Sequence, residues 1–349
     1  MPMFNKSMPL AIFMQDSLNT DYGKMGFGVM RYTDHPVACV LDTNYTGQTV
    51  RSAVGQPFDI PVVSTIAEAA ALGSEILVLG TAPSGGRFPD AWVAPVEEAL
   101  SMGMSLVNGL HDRLADRFSQ LIQPDHASQK IWDVRQPTFV PTIAMARAAS
   151  LPNKRVLMVG TDMAVGKMTT GLEVYRWVQE QGISTDFIAT GQIGITVTGR
   201  GVPLDAVIVD QAAGAIETLV LESQHHDIVF IEGQGSLLHP GSTATLPLMR
   251  GSCATHLILC HRAFESTLRN PSHIKIPSLR EFIKLNEDLT AVCGSLTRAD
   301  CIGVSLNTYG MTDEDARQKI DAVEQETGLP ATDVIRYGAD KLGQAIITS

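Results

Sequence analysis

The stretch VLMVGTDMAVGKMTTGLEVY, residues 156–175, decides how the second half of the chain folds. It opens on an apolar strand, closes a loop on Gly166 and Lys167, and continues as a helix with Leu172, Tyr175 and Val178 on one stripe until Gly182 stops it. A strand, a glycine-bearing loop and a helix in that order make a cradle for phosphate. The amides of residues 161–169 can turn inward, the helix N-terminus adds its dipole, and Lys167 supplies a point charge. Gly160, Thr161, Asp162, Val165, Gly166, Lys167, Met168 and Thr169 are the expected phosphate-binding set. Counted from Gly160, the loop is one residue longer than the common GxxxxGK. The plainer alternative is a glycine-containing strand–helix turn without a ligand.

Met168 stands where a nucleotide hydrolase places a hydroxyl for Mg²⁺. Mg²⁺ prefers hard oxygen ligands, and a thioether is a poor substitute. Thr169 follows one residue later, rotated by about 100° around the helix, and need not recover that role. Without a well-held metal, γ-phosphoryl transfer loses electrostatic stabilisation. The sequence therefore predicts a loop that grips phosphate without cleaving it.

Working outward, a second α/β unit starts at Arg155, with strands predicted at 156–160, 186–190, 206–209, 228–232, 256–260 and 301–306. Besides helix 167–181, helices are predicted from Ser278 to about Leu289 and from the Thr312–Asp315 pair to Gly328. The first part of the chain alternates in the same way. LAIFM (10–14), VACVL (37–41), EILVLG (75–80) and SLVNGL (105–110) read as strands. Between them lie a helix opened by the Thr65–Glu68 capping pair and stopped by Gly73, and a helix over 89–103 with Val93, Val96 and Leu100 on one face. That rhythm means a parallel sheet with helices on its faces. Residues 137–154 carry three prolines and little periodicity, so two α/β domains are drawn at 1–148 and 149–349.

Length agrees, since 349 residues sit comfortably in two cores. A hydrophobic content of 44% and a charged content of 18% describe an ordinary globular enzyme. The net charge of −11 argues against nucleic-acid or anionic-membrane partners, which need clustered Lys and Arg. Cys39, Cys253, Cys260, Cys293 and Cys301 show no CxxC pair or finger spacing, which points to reduced thiols and no metal site. The N-terminus is apolar only from Pro9 to Met14, and no run approaches the roughly 18 apolar residues of a membrane span. A soluble, cytoplasmic enzyme is expected.

Open parallel sheets bind ligands at the carboxyl ends of their strands. GQIG (191–194) reads as a flexible loop bearing Gln192, and Asp210-Gln211 follows AVIVD, with Glu217 two turns into a helix. EGQGSLLHPG (232–241) is the densest polar set, with Glu232, Gln234, Ser236 and His239; His261-Arg262 follows THLILC. His225-His226 reads as a solvated loop. Cys260 and His261 are strand neighbours facing opposite ways and make no nucleophile–base pair. In the first domain, GTAPSGGRFP (80–89) offers the amides of Ser84, Gly85 and Gly86 to a carboxylate, with Arg87 as a bidentate binder. A glycine turn beside a surface arginine is the alternative. DYGKMGFG (21–28) has its glycines in the wrong order for GxGxxG and speaks only weakly for NAD.

GTDMAVGKMTT resembles the phosphate loop of dethiobiotin synthetase. The chain is more similar still to a two-domain bacterial family, that of D-glutamate N-acetyltransferase. APSGGRFP, GLHDRLAD and IWDVRQP carry the resemblance in the first domain. VGTDMAVGKMTT, ATGQIGI, DAVIVDQAAGAIE, IEGQGSLLHP and LCHR carry it in the second, so that it spans almost the whole chain. It implies a Rossmann-like N-terminal domain, a P-loop NTPase-like C-terminal domain, and transfer of acetyl from acetyl-CoA to the amine of an acidic D-amino acid such as D-glutamate, without ATP hydrolysis. In that reading the loop around Lys167 holds the phosphates of CoA, and Glu232 and His239 are the candidate bases. Gln234 and Ser236 are candidate oxyanion donors. Gly85, Gly86, Arg87, Gln192 and Arg262 are expected around the amino acid. Ile193, Gln211, Arg250 and, after GLHDRLAD, Arg117 depart from the family's pattern, which bears on the acceptor. The competing readings are a Mg-ATP-dependent ligase or kinase, which Met168 disfavours, and a nucleotide sensor without catalysis. A homo-oligomer, in the simplest case a dimer, is expected.

Overall fold

Short apolar runs alternating with helices build two six-stranded sheets, parallel throughout, in this computed structural model. The structure describes residues 4–124, 128–242 and 244–349. The chain divides into two compact units: residues up to Pro137 together with Gln192–Ala206, and Thr138–Gly191 together with Val207–Ser349.

The first unit runs β1 (Leu10–Phe13), α1 (Lys24–Tyr32), β2 (Val37–Leu41), α2 (Val50–Val54), β3 (Val62–Val63), α3 (Ile66–Ala71), β4 (Ile76–Leu79), α4 (Val93–Ser101), β5 (Ser105–Asn108), α5 (Leu114–Phe118) and β6 (Ile131–Asp133). The expected capping box is present: Glu68 N donates to Thr65 Oγ1 (3.1 Å) and Thr65 N to a Glu68 carboxylate oxygen (3.0 Å). The sheet order β3-β2-β1-β4-β5-β6 reverses between β1 and β4, as in a Rossmann-like domain. At that reversal Gly26 N donates to Gly80 O (2.8 Å), and a Cβ on Gly26 would meet Met14 Sδ at 2.4 Å. The glycines of DYGKMGFG thus let α1 lie close on the sheet; they do not form a dinucleotide turn. Phe13, Phe88, Trp92 and Phe118 fill the core edge to face, with Phe13 and Trp92 centroids 5.3 Å apart.

The second unit runs β7 (Lys154–Gly160), α6 (Lys167–Glu180), β8 (Thr185–Ile188), then α7 (Gln192–Thr198), which belongs to the first unit, and α8 (Val209–Glu222). It continues through β9 (Ile228–Ile231), α9 (Thr245–Ser252), β10 (His256–Arg262), α10 (Leu279–Ala291), β11 (Asp300–Asn307), α11 (Asp313–Thr327), β12 (Ala331–Thr332) and α12 (Asp340–Thr348). Its sheet order is β12-β11-β10-β7-β9-β8, so the phosphate-loop strand β7 lies between β10 and β9.

Two expectations are corrected. GQIG is no flexible loop: α7 starts at Gln192, because Ile193 packs where Gly28 has no side chain and the Gln192 amide oxygen accepts from the buried Arg135. Residues 206–209 are no strand: Leu204–Ala206 is a 3-10 turn and α8 begins at Val209. Ile208 and Val209 are exposed. The helical spacing of Ala212, Ala215, Ile216, Leu219 and Val220 decides the segment instead.

Glu217 lies fully buried on α8 and fastens residues 145–147 to it. Its carboxylate accepts from Met145 N, Arg147 N (2.7 Å) and the Arg147 guanidinium (2.8 and 2.9 Å). Burial alone would raise its pKa, but Arg147 and these amides hold it below the usual carboxylate range. Among the described residues no helix is long and apolar enough to cross a membrane. Replacing Glu217 by Ala strands several donors and is expected to cost about 3–5 kcal/mol in urea unfolding. Because its folded pKa is lowered, its contribution is present above the unfolded range and lost as pH falls through the folded value. The gap between wild type and variant should therefore narrow as the pH falls below the ordinary glutamate range.

Candidate functional site

The phosphate loop leaves β7 at Gly160 and enters α6 at Lys167. Gly166 caps the helix at φ 109°, a left-handed conformation that favours glycine. The polar side chains at the start of the loop are spent on its shape. Thr161 Oγ1 lies 3.0 Å from His261 Nδ1, and Thr161 N donates to Cys260 O (3.1 Å). Asp162 accepts from Met163 N (2.6 Å) and Arg269 N (2.8 Å). Val165 is buried, and Met168 and Thr169 are half-buried on the first helical turn.

Lys167 is only 7% exposed, and its ammonium donates back to Asp162 O (2.8 Å). Burial lowers its pKa to about 8, against the opposing pull of Cys260, Asp162 and Glu232. Glu232, at the end of β9, is 4% exposed. One carboxylate oxygen accepts from Thr190 N (2.8 Å) and Gly191 N (3.2 Å), and the other lies 3.4 Å from Gln234 Nε2. Burial raises its pKa to about 7, with the two amides and Lys167 opposing. Gly233 makes this approach possible: a Cβ there would stand 1.7 Å from Met158 O and 2.9 Å from Lys167 Cδ.

The remaining predicted residues divide by what they already hold. Ser236 donates its hydroxyl to Thr161 O (3.0 Å) and accepts from Leu238 N (3.2 Å). His239 accepts from Gly241 N on Nδ1 (3.0 Å), which makes Nε2 the donor to Asn270 O (2.6 Å). Both nitrogens are thus engaged. Arg262, the last residue of β10, binds Glu265 (3.2 Å) and donates to Ala164 O in the loop (2.9 Å). Asp210 is exposed on the first turn of α8 and does not follow a strand. Cys260 and His261 are both buried; burial pushes the thiol up to about 11, and burial with Lys319 pushes the imidazole down to about 4.

The first unit has its own polar group. Gly85 and Gly86 have φ of 81° and 62°, and Arg87 pairs with Asp112 (2.9 Å), which also accepts from Phe88 N (2.6 Å). A Cβ on Gly86 would touch His111 at 2.5 Å. Burial lowers the His111 pKa, and Arg135 and Arg87 add to the effect. Buried Arg135 donates to Gly109 O (2.7 Å), to Gln192 and toward Asp205. Sequence reasoning gave His111, Asp112 and Arg135 no role, although GLHDRLAD and IWDVRQP contain them; nothing in their spacing announced that the turn and two strand ends would meet.

A Rossmann-like unit and a P-loop unit, each with a parallel sheet, define a two-domain P-loop α/β protein. The chain belongs to the DUF1611 family: residues 142–343 match its P-loop domain of unknown function and residues 43–137 its Rossmann-like domain. A D-glutamate N-acetyltransferase from Tritonibacter scottomollicae is 35% identical over 342 residues, covering 97% of this chain and 98% of the relative. One of the same name from Pseudoalteromonas is 37% identical over 313 residues, covering 87% and 89%. The crystal structure of a DUF1611 family protein from Anabaena variabilis matches with a TM-score of 0.92 at 43% identity, covering 98% of this chain and all of the other.

Because the Glu232 pKa is raised, its contribution to stability is fully present below the unfolded range and lost as pH rises through about 7. Ionisation there costs the fold roughly 3 kcal/mol. Glu232→Gln removes that loss, so its Tm relative to wild type should be higher at pH 8 than at pH 5. A difference that shrinks toward pH 8 would mean that the carboxylate stabilises the fold.

Proposed function

We propose that this protein is an N-acetyltransferase that moves the acetyl group of acetyl-CoA to the amine of D-glutamate or a related acidic D-amino acid, without ATP hydrolysis. The observation that carries the reading is the near full-length match to two relatives of that name. The site supports it. A phosphate loop with Met168 in place of a metal-binding hydroxyl suits a donor whose phosphates are held and left intact.

In this mechanism the loop amides and Lys167 bind the CoA phosphates. Glu232 is the general base: its pKa of about 7 matches neutral pH, and His239 has no free nitrogen for the task. The carboxylate takes a proton from the substrate ammonium. The freed amine attacks the thioester carbonyl and the C–S bond breaks; the proton held by Glu232 returns to the departing thiolate, and the second proton of the attacking nitrogen passes to solvent as the amide forms. Gln234, beside Glu232, is the side-chain donor for the oxyanion, because the Ser236 hydroxyl is already committed to Thr161.

Purified protein with acetyl-CoA and a panel of D- and L-amino acids should release thiol with D-glutamate and close relatives in the absence of ATP. ATP consumption without thiol release would overturn the reading in favour of a ligase. Lys167→Ala should raise the KM for acetyl-CoA about ten- to a hundredfold, and more than that for the amino acid. Glu232→Gln should lower kcat by about 10²–10⁴ and remove the rise in kcat/KM through about pH 7. An unchanged pH limb would exclude Glu232 as the base.

A further inference from the structure

Two aromatic rings at the carboxyl edge of the second sheet serve no core. Tyr309 is 82% exposed and Phe264 is 61% exposed, the most exposed aromatic side chains among the described residues. They stand on the turns that follow neighbouring strands, at matching positions. Arg262 of β10 is in register with Asn307 of β11, and each ring comes two residues later. Strands in register lie about 4.8 Å apart. Strand β10 is in turn paired with β7, whose carboxyl end opens the phosphate loop.

Both rings are carried on pinned backbone. Ala263 N donates to Asn307 O (3.1 Å), and Asn307 Oδ1 accepts from Tyr309 N (3.0 Å). Between them Thr308 is fully buried and bonds Asp333 through its amide (2.9 Å) and its hydroxyl (2.6 Å). Beside Phe264, Glu265 pairs with Arg262, whose other nitrogen holds Ala164 O of the phosphate loop (2.9 Å). The turn that presents Phe264 is therefore tied directly to the loop. Large rings held out to water on rigid turns gain nothing from the fold; they suit the face of a flat ligand.

We propose that Phe264 and Tyr309 form the platform on which the adenine ring of the donor stacks while its phosphates lie on the loop at Lys167. The proposal rests on the acetyl-CoA reading above for the identity of the donor; the chemistry recognised is an adenine ring joined to phosphate. Base–aromatic stacking needs only the two faces and no hydrogen-bond pattern.

The test compares acetyl-CoA with acetyl-pantetheine, which carries the same thioester without adenine or its phosphates. In the Phe264→Ala, Tyr309→Ala double variant, the ratio of KM for acetyl-CoA to KM for acetyl-pantetheine should rise about tenfold or more over wild type. Tyr309→Phe, which keeps the ring, should leave that ratio unchanged. A ratio unaltered in the double variant, whether both KM values rise together or neither moves, overturns the platform. If the wild-type protein transfers acetyl from neither donor, the acetyl-CoA reading has failed and the platform is judged by titration with ADP and 3′,5′-ADP. Weakening of about tenfold in the double variant then upholds an adenine site. Unchanged affinity, or no nucleotide binding by wild type, overturns it.

Discussion

An ammonium and a carboxyl share one desolvated space at the carboxyl ends of β7 and β9, and much of the second unit is arranged around that constraint. Lys167 and Glu232 are each removed from water, and each resists its own ionisation for that reason. Their mutual attraction offsets only part of the cost. The sheet order places β7 beside β9, so the lysine that starts α6 feels the charge of the residue that follows β9. Gly233 is then forced, since any side chain there would collide with Met158 O and with the lysine stem. The loop carbonyl of Asp162 and the amides of Thr190 and Gly191 supply the hydrogen bonds that leave both groups tolerable in a dry site.

Around that pair, the polar residues separate into those that shape the loop and those with capacity left over. Asp162, Ser236 and Arg262 bind the backbone of the loop or of its neighbours, and Thr161 binds the His261 ring. His239 is locked between Gly241 and Asn270. Glu232 retains one carboxylate oxygen with only a long contact to Gln234. A dense run of functional residue types such as EGQGSLLHPG is thus mostly scaffold, with hydrogen-bonding capacity left over at its first residue and at the amide two positions on.

The parallel α/β architecture was legible because its strands are short apolar runs bounded by glycines and capping residues, as at Thr65–Glu68 and at Gly182. The phosphate loop was legible for the same local reason. What escaped was decided by distant contacts. AVIV looked like a strand until the spacing of Ala212 to Val220 claimed it as the approach to α8. GQIG carries helix-averse residues, yet it is helical because Gly28 and Arg135 receive Ile193 and Gln192. Which of His239 and Glu232 has a free acceptor could not be read from residue type, because it depends on Gly241 and Asn270. Helix α9 and the carboxyl-terminal α12 drew no expectation at all, being short segments of eight and nine residues without a side-chain cap at their N-termini.

The placement of Gln192–Ala206 in the first unit means that the polypeptide passes between the units three times: after Pro137, after Gly191 and after Ala206. The family's two domain models divide the chain once, between residues 137 and 142. A fragment ending there would lack Gln192 and Asp205, and the buried guanidinium of Arg135 would lose two of its partners. The halves of this protein are therefore not separable pieces in genetic terms. A fission or domain exchange at the linker would leave the amino-terminal half without a helix encoded downstream, so a cut made there falls inside the first unit and not at its edge.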